Sequence, residues 1–360
     1  MVRLIRFVFG VCSLLTFLAS ASRADKVDDF VRGHMAREHI PGLSLAVVRD
    51  GKVVRAQGYG WANLELRVPA TPETVYIIHS VSKQFVVAAA MQLVEQGKLG
   101  LDDPASKYLP DIPAAWKDVR IWHLLSHTSG IKDYLNDVDL DLPDGATMVD
   151  KMHAVAELPM NFQPGEKWKY NNTGFLMMAL IIQKLTGRTT QEYLKENIWG
   201  PLGMASARAS SRTAIIPNRA SYYLWRTDYW ENGEFPYTSE QIGAGGMMTN
   251  VLDLAKWDAS LYTNKILTQA SRDRMFTPVT LNDGSKAPYG LGFFVKDYNG
   301  HRMVWHYGST GYLRANISRF VDDRLTVIVL ANGGAPKIND IAQGVAGLMD
   351  PAIAAAMAKG

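Results

Sequence analysis

The chain has 360 residues, 47% hydrophobic and 20% charged, the proportions of a globular protein able to bury a sizeable core. Its formal charge of +3 comes from 38 Lys and Arg against 35 Asp and Glu, and three of those arginines lie in the first 24 residues, which hold no acid. The remainder is neutral, which excludes an electrostatic case for nucleic acid as a partner.

That first segment reads as a secretory signal peptide, residues 1–24. Met1-Val2-Arg3-Leu4-Ile5-Arg6 is basic, and Phe7 to Ala19 is apolar but short for a membrane span. Small residues follow, with Ala19-Ser20-Ala21 or Ser22-Arg23-Ala24 as cleavage sites. The expected location is therefore secreted or periplasmic, with no transmembrane span after cleavage; an uncleaved anchor is the alternative. The only cysteine, Cys12, would leave with this segment. A product without thiols excludes disulfides, cysteine nucleophiles and thiolate metal sites.

From Asp25 to Ile40 the pattern is that of a short amphipathic helix ended by Pro41-Gly42. Leu43 to Val48 reads as a strand, Asp50-Gly51 as a hairpin turn, and Val53 to about Tyr59 as the returning strand. A helix is expected from Ser80 to about Gln96, with Gly97 as its terminator. Leu101 to about Leu158 reads as helices and loops. The Pro164-Gly165-Glu166 turn leads to Tyr170-Asn171-Asn172 and an apolar helix, Phe175 to Leu185. An aromatic loop region (Tyr222 to Trp230) and Gly243-Ala244-Gly245-Gly246 precede a helix from Val251 to about Leu261. Strands are expected at Gly290 to Lys296, Arg302 to Tyr307, Tyr312 to Phe320 and Leu325 to Ala331, then a small-residue helix from about Ile338.

Strands at both ends with helices between predict an α/β (α+β) fold, in which one antiparallel sheet built from the two termini is flanked by helices. A mostly helical lobe would be inserted into it. No repeat or low-complexity linker divides the chain, so residues 25–360 read as one unit. Its sheet lobe spans about 25–100 and 285–360, and its helical and loop lobe about 101–284.

Ser80 and Lys83 are three residues apart, so on a helix they share a face. A serine hydroxyl needs a neighbouring proton acceptor to become a nucleophile, and a serine opening a helix presents its own N–H to a developing oxyanion. Alone, the pair reads equally as a helix start with a solvated lysine. It is followed in order by Tyr170-x-Asn172 and His306-x-Gly308. Ser129/Lys132, Tyr134/Asn136 and Tyr262/Asn264 repeat the first two spacings, but only Ser80 opens a long apolar helix and only Tyr170 follows the P-G-E turn.

With these residues the chain resembles the serine β-lactamase and penicillin-binding-protein-like superfamily, in the branch of the class C β-lactamases. D-alanyl-D-alanine carboxypeptidases, D-aminopeptidases and family VIII carboxylesterases share that branch. Leu124-Leu125-Ser126-His127-Thr128-Ser129-Gly130 and His306-Tyr307-Gly308-Ser309-Thr310-Gly311 extend the likeness over about Val27 to Ala331. The resemblance implies Ser80 as the acylated nucleophile and Lys83 as its proton acceptor or the partner that keeps Tyr170 ionised. Tyr170 would be the general acid and base, and a free tyrosine, with a pKa of about 10, needs an adjacent cation for that role. Asn172, His306, Gly308 and Ser309 would bind substrate and build the oxyanion hole, with N–H groups from Ser80 and Ser309. Class C β-lactamases carry a lysine where His306 stands, so strong recognition of an anionic β-lactam is not expected.

The function expected is thus a secreted serine hydrolase acting through an acyl-enzyme on an ester, amide or D-amino-acid peptide, a small and possibly cell-wall-derived substrate. A D-alanyl-D-alanine carboxypeptidase or a β-lactamase is the alternative, and a non-catalytic peptidoglycan-binding sensor of the same fold is the rival from another class. No cofactor and no metal are expected: His123 and His127 have i,i+4 spacing but neither the Glu of H-E-x-x-H nor a third ligand. The G-x-S-x-G elbow of α/β-hydrolases is absent. Asp102-Asp103 and Asp139-Leu140-Asp141 read as caps and turns. The aromatics from Tyr222 to Trp230 either pack a lobe onto the sheet or line the cleft.

Overall fold

The two most continuously apolar strand patterns of the chain come from its opposite ends, and they pair. In a computed structural model, which describes residues 26–138, 146–233, 242–311, 313–334 and 337–354, β1 (Gly42–Arg49) lies antiparallel to the last strand, Leu325–Ala331, from Leu43 opposite Ala331 to Arg49 opposite Leu325. Every residue of the last strand is buried. A strand covered on both faces gains from apolar side chains at every position, which explains its unbroken run.

On the other side of β1 runs β2 (Lys52–Asn63), which pairs at its end with the short β3 (Val68–Pro69). Asp50 and Gly51 both have positive φ, 52° and 73°, as a two-residue hairpin turn demands. Four short strands follow: β4 (Tyr76–Ile77), β5 (Arg208–Ala209), β6 (Tyr223–Trp225) and β7 (Trp230–Asn232). After them come β8 (Met247–Thr249), β9 (Phe294–Tyr298), β10 (His301–Thr310), β11 (Leu313–Phe320) and β12, the last strand. The main sheet has the order β3-β2-β1-β12-β11-β10-β9, with β4-β8-β5 and β6-β7 as two minor sheets.

Helices cover both faces. On one face, α1 (residues 26–37) and a C-terminal helix (Ile338–Met349) lay Val27, Val31, Ile341 and Val345 against Leu45, Val47, Val327 and Val329. Against the other face sits the helical lobe, whose centre is α2 (Lys83–Glu95), buried without a break from Lys83 to Met91. The lobe also contains α3 (Ile121–Ser126), α4 (Met148–Ala156) and α5 (Thr173–Thr186), as well as α6 (Thr190–Leu194), α7 (Gly200–Leu202), α8 (Val251–Ser260) and α9 (Gln269–Met275). Each fully buried Leu, Val or Phe of this interface contributes about 1.5–3 kcal/mol.

Several boundaries differ from the sequence reading. Ser80 lies in a 3₁₀ turn, His79–Ser82, and α2 begins only at Lys83. Gly97 does end α2, with φ +68°. The strand expected from Gly290 begins at Phe294, because Gly292 has φ +75°, outside the extended range of a strand. The middle of the chain is not purely helical, since β8 pairs with β4 on one side and β5 on the other, beside the turn that carries Ser80. The proposed signal peptide, the Asp139–Asp141 pair and Tyr312 lie outside the described residues. Among the described residues no helix is long and apolar enough to cross a membrane.

Candidate active site

The turn that carries Ser80, His79–Ser82, is fixed from both sides. Its approach strand, β4, pairs with β8, and the N–H of Ile78 donates to the Met247 carbonyl at 2.9 Å. The chain then reverses at His79, which is buried with φ +47°, a conformation that costs a non-glycine residue energy and is held only by tight surroundings. Ser80 emerges from this turn at the mouth of the lobe.

Lys83, one turn later, is fully buried and spends all three ammonium protons on neutral oxygens. Nζ donates to Ser80 Oγ (3.2 Å), Asn172 Oδ1 (2.8 Å) and the Ala244 carbonyl (2.6 Å). Nζ also lies 4.9 Å from the centre of the Tyr170 ring and 5.2 Å from that of Phe175. Burial pulls the ammonium down from 10.5 to about 7, opposed by the negative charge of Asp133. A lysine so placed exchanges a proton with its neighbours at neutral pH.

Asn172 caps the start of α5, and the loop before it is stapled to the residues after α3. Asn171 donates its N–H to His127 Nδ1 (3.0 Å) and its side-chain amide to the Ile131 carbonyl (2.7 Å). Thr173 Oγ1 donates to the Lys132 carbonyl at 2.7 Å. The Asn172 amide nitrogen donates to Asp133 Oδ2 at 3.0 Å, leaving its second hydrogen for the pocket. Tyr170 rests on the His127 ring, with centroids 4.2 Å apart. His127 is itself buried and held far below the usual histidine range, first by burial and then by Lys83 and His306. It acts as a neutral aromatic spacer. His123 has a different partner, accepting the Arg120 N–H at Nδ1 (3.0 Å). Among the described residues no three His, Cys, Asp or Glu converge as a metal site would require.

The opposite wall is β10. Its partner β9 pairs only as far as Trp305, opposite Phe294, so the outer edge beyond it is free of strand partners among the described residues. Gly308 crosses directly over the nucleophile turn, and a Cβ there would stand 2.2 Å from the Ile78 carbonyl oxygen and 2.8 Å from His79 Cβ. Only glycine permits that approach.

Side chains alternate along the strand, which decides the position of the third motif. Tyr307 and Ser309 line a pocket of about 230 Å³ together with Ser80, Leu135, Asn136, Tyr170 and Asn172. His306 lies on the same side of the strand as Gly308, fully buried with its ring centroid 6.3 Å from that of Tyr170, and its side chain is not among those lining the pocket. Burial and the nearby Lys83 lower its pKa to about 3, so the ring is neutral. Since a carbonyl can only accept, Nδ1 donates to the Tyr307 carbonyl (2.6 Å), and Nε2 then accepts from the Tyr289 hydroxyl (2.8 Å). The ring braces the strand from behind.

Thus the structure gathers Ser80, Lys83, Tyr170, Asn172 and Ser309 around one pocket, sets Gly308 against the turn, and buries His306 behind the pocket wall near Lys83 and Tyr170. The repeated spacings serve elsewhere: Lys132 donates to Asn161 Oδ1 (2.7 Å), and Asn264 accepts from Arg272 (3.1 Å). Asn136, set aside in sequence as part of a decoy, is in the pocket. Asp133 and Tyr307 carried no sequence signal of their own. Of the aromatics from Tyr222 to Trp230, Tyr222 and Trp225 pack, Tyr222 Oη accepting the Ile77 N–H (3.2 Å) and Trp225 stacking on His39 with centroids 4.2 Å apart, while Tyr229 is exposed.

A buried lysine beside a serine, facing a tyrosine across a pocket closed by a sheet edge, is the arrangement of a serine acyl-transfer site. The family model described as Beta-lactamase matches residues 27–345, and the chain belongs to that family of serine hydrolases. It is 28% identical over 318 residues to a penicillin-binding protein of Bacillus subtilis (strain 168), covering 83% of this chain and 69% of that protein. It is 31% identical over 331 residues to a D-aminopeptidase of Brucella anthropi, covering 89% of this chain and 62% of the relative. The fold matches the octameric penicillin-binding protein homologue of Pyrococcus abyssi with a TM-score of 0.80 at 29% identity, covering 91% of this chain and 77% of that one.

Proposed function

We propose that the protein is a serine acyl-hydrolase that forms an acyl-enzyme at Ser80 and acts on a carboxylic ester, an amide or a D-amino-acid peptide. The observation that carries this reading is the 3.2 Å contact between Ser80 Oγ and a buried Lys83 whose pKa is about 7. Ser80 Oγ attacks the substrate carbonyl and its proton passes to the Lys83–Tyr170 pair, which shares it. The carbonyl oxygen becomes an oxyanion received by the N–H groups of Ser80 and Ser309. Tyr170 returns the proton to the departing amine or alcohol, and the C–O or C–N bond breaks. Water then repeats the sequence against the acyl-enzyme, and Ser80 is freed.

The free edge of β10 supports an extended acyl group laid alongside it as an added strand, with Asn172 donating its remaining hydrogen to an amide carbonyl. Among the described residues the pocket walls carry no Lys, Arg or His side chain, and His306 is neutral and buried behind them. That supports peptide-like or ester substrates over an anionic β-lactam, as does the likeness to a D-aminopeptidase. The N-terminal pattern of a basic start, an apolar run and small residues supports action outside the cytoplasm, where cell-wall peptides are met.

The test is a panel of short- and long-chain p-nitrophenyl esters, D-amino-acid amides, D-alanyl peptides and nitrocefin, each with a Ser80→Ala control. We expect at least one ester or D-amino-acid amide to be turned over by wild type and by none of the control. Nitrocefin turnover matching the best ester would overturn the substrate reading. Absence of all turnover, with Ser80 never labelled by a fluorophosphonate, would favour the sensor.

A further inference from the structure

The residue that ties the pocket together belongs to none of the three motifs. Asp133 is fully buried, yet among the described residues its carboxylate pairs directly with no cation. Oδ1 accepts the Leu135 N–H (3.1 Å), while Oδ2 accepts both Asn136 Nδ2 (2.5 Å) and Asn172 Nδ2 (3.0 Å). The Asp133 N–H in turn donates to Asp137 Oδ2 at 3.0 Å. Two pocket amides, one from the loop after α3 and one from the start of α5, thus hang from one carboxylate oxygen.

We propose that Asp133 is a positioning residue of the Ser80 site, orienting the amides of Asn172 and Asn136 and acting on Lys83 through the first of them. This rests on Ser80 being the nucleophile. A carboxylate can only accept hydrogen bonds, so Asn172 must turn its NH₂ group to Asp133 and its carbonyl oxygen to Lys83. Without that constraint the amide is free to flip, presenting hydrogens to the ammonium and breaking the 2.8 Å contact. The same carboxylate supplies a negative charge one amide away from a fully buried lysine. In contact it would hold Lys83 as a permanent ammonium; absent, burial would leave the lysine neutral. At one remove, it keeps the proton exchangeable.

The other groups facing Lys83 do not duplicate this role. Tyr170 presents its ring, and His79 from the nucleophile turn, His127 from the end of α3 and His306 from β10 are all buried imidazoles with lowered pKa. Among them, only Asp133 brings a carboxylate.

The experiment is the pH profile of the rate constant for fluorophosphonate labelling of Ser80, a per-site quantity that does not depend on how much of a variant folds. Asp133→Asn keeps the shape and removes the charge. We expect its acid limb, where the rate falls as Lys83 gains a proton, to move about one unit to lower pH. Its plateau should fall about tenfold or more, as expected when an aligned group is released. Asn136→Ala removes a hydrogen bond that disperses the Asp133 charge, so its acid limb should move the opposite way, to higher pH, by a smaller amount. An unmoved limb in Asp133→Asn, or limbs moving in the same direction in both variants, would overturn the proposal. Should Asp133→Asn fail to fold, an unmoved or lowered limb in Asn136→Ala would overturn it alone. If wild-type Ser80 is never labelled, the acyl-enzyme reading fails and this inference with it. A movable Ser80 label with an immovable acid limb defeats this inference only.

Discussion

Among the described residues two cations, Arg319 and Lys83, are completely buried, and they are treated in opposite ways. Arg319 of β11 meets Asp258 of α8 directly, its Nε donating at 2.6 Å to an oxygen that also accepts from Thr326 Oγ1 at 2.8 Å. Its guanidinium lies over the rings of Tyr262 (4.9 Å) and Phe276 (5.2 Å). Lys83 is given only neutral oxygens, and its nearest named carboxylate stands behind an amide. Each charge is costly to remove from water. The direct pair offsets that cost and fixes the charge, which suits a strut between helix and sheet. The indirect arrangement leaves much of the cost in place as a lowered pKa, which suits a group that must give and take a proton.

Exchanging either cation for a neutral residue should separate the two roles. Lys83→Met is expected to lower kcat/KM for the best ester by about 10³-fold or more, in the upper range for loss of a general acid–base group. A smaller loss, measured on folded enzyme, would mean that Lys83 serves structure as Arg319 does. Asp258→Asn should leave kcat/KM per folded molecule intact but destabilise the protein by about 3–5 kcal/mol in denaturant titration, because an uncompensated charge stays buried. Unchanged stability there would remove the distinction from the other side.

The finest separation lies in the pH dependence of stability. Lys83 has a folded pKa of about 7 against 10.5 in the exposed chain. Between those values the unfolded chain binds a proton that the native protein has released, so this residue makes stability rise with pH across that window. Below it, the full cost of burying the ammonium is present. The stability of Lys83→Met relative to wild type should therefore be more favourable at pH 6 than at pH 9. Melting curves at the two pH values would show this, and an equal or reversed difference would contradict the lowered pKa.

The parts of the site that were legible in sequence are those whose local context is chemical. Ser80 and Lys83 keep their spacing whether the intervening turn is α or 3₁₀, so an error in the start of α2 did not matter. Tyr170 and Asn172 stand out by the turn before them and the apolar helix after them. The sheet uniting the chain ends followed from apolar runs such as Leu325–Ala331. What could not be read was which side of a strand faces the pocket. His306 and Tyr307 are neighbours, and only the depth of β10 against the nucleophile turn decides that the histidine faces inward. Asp133 was equally hidden: among many loop aspartates nothing local marks one that folding will bury beneath two amides. The two-residue strands β4 and β5 are too short to show a period.

The pairing of β1 with β12 has a consequence in time. Leu43 cannot meet Ala331 until almost the whole chain has been made, and contacts this distant in sequence slow folding. Ser80 belongs to the early part of the chain, whereas Gly308 and Ser309, which close the pocket over it, arrive with the late strands. Until then the exposed edge of β1 is open to mispairing. A chain that stops short of Gly308 would carry Ser80 with no wall opposite it, so on the proposed mechanism the site cannot work until the late strands have been made.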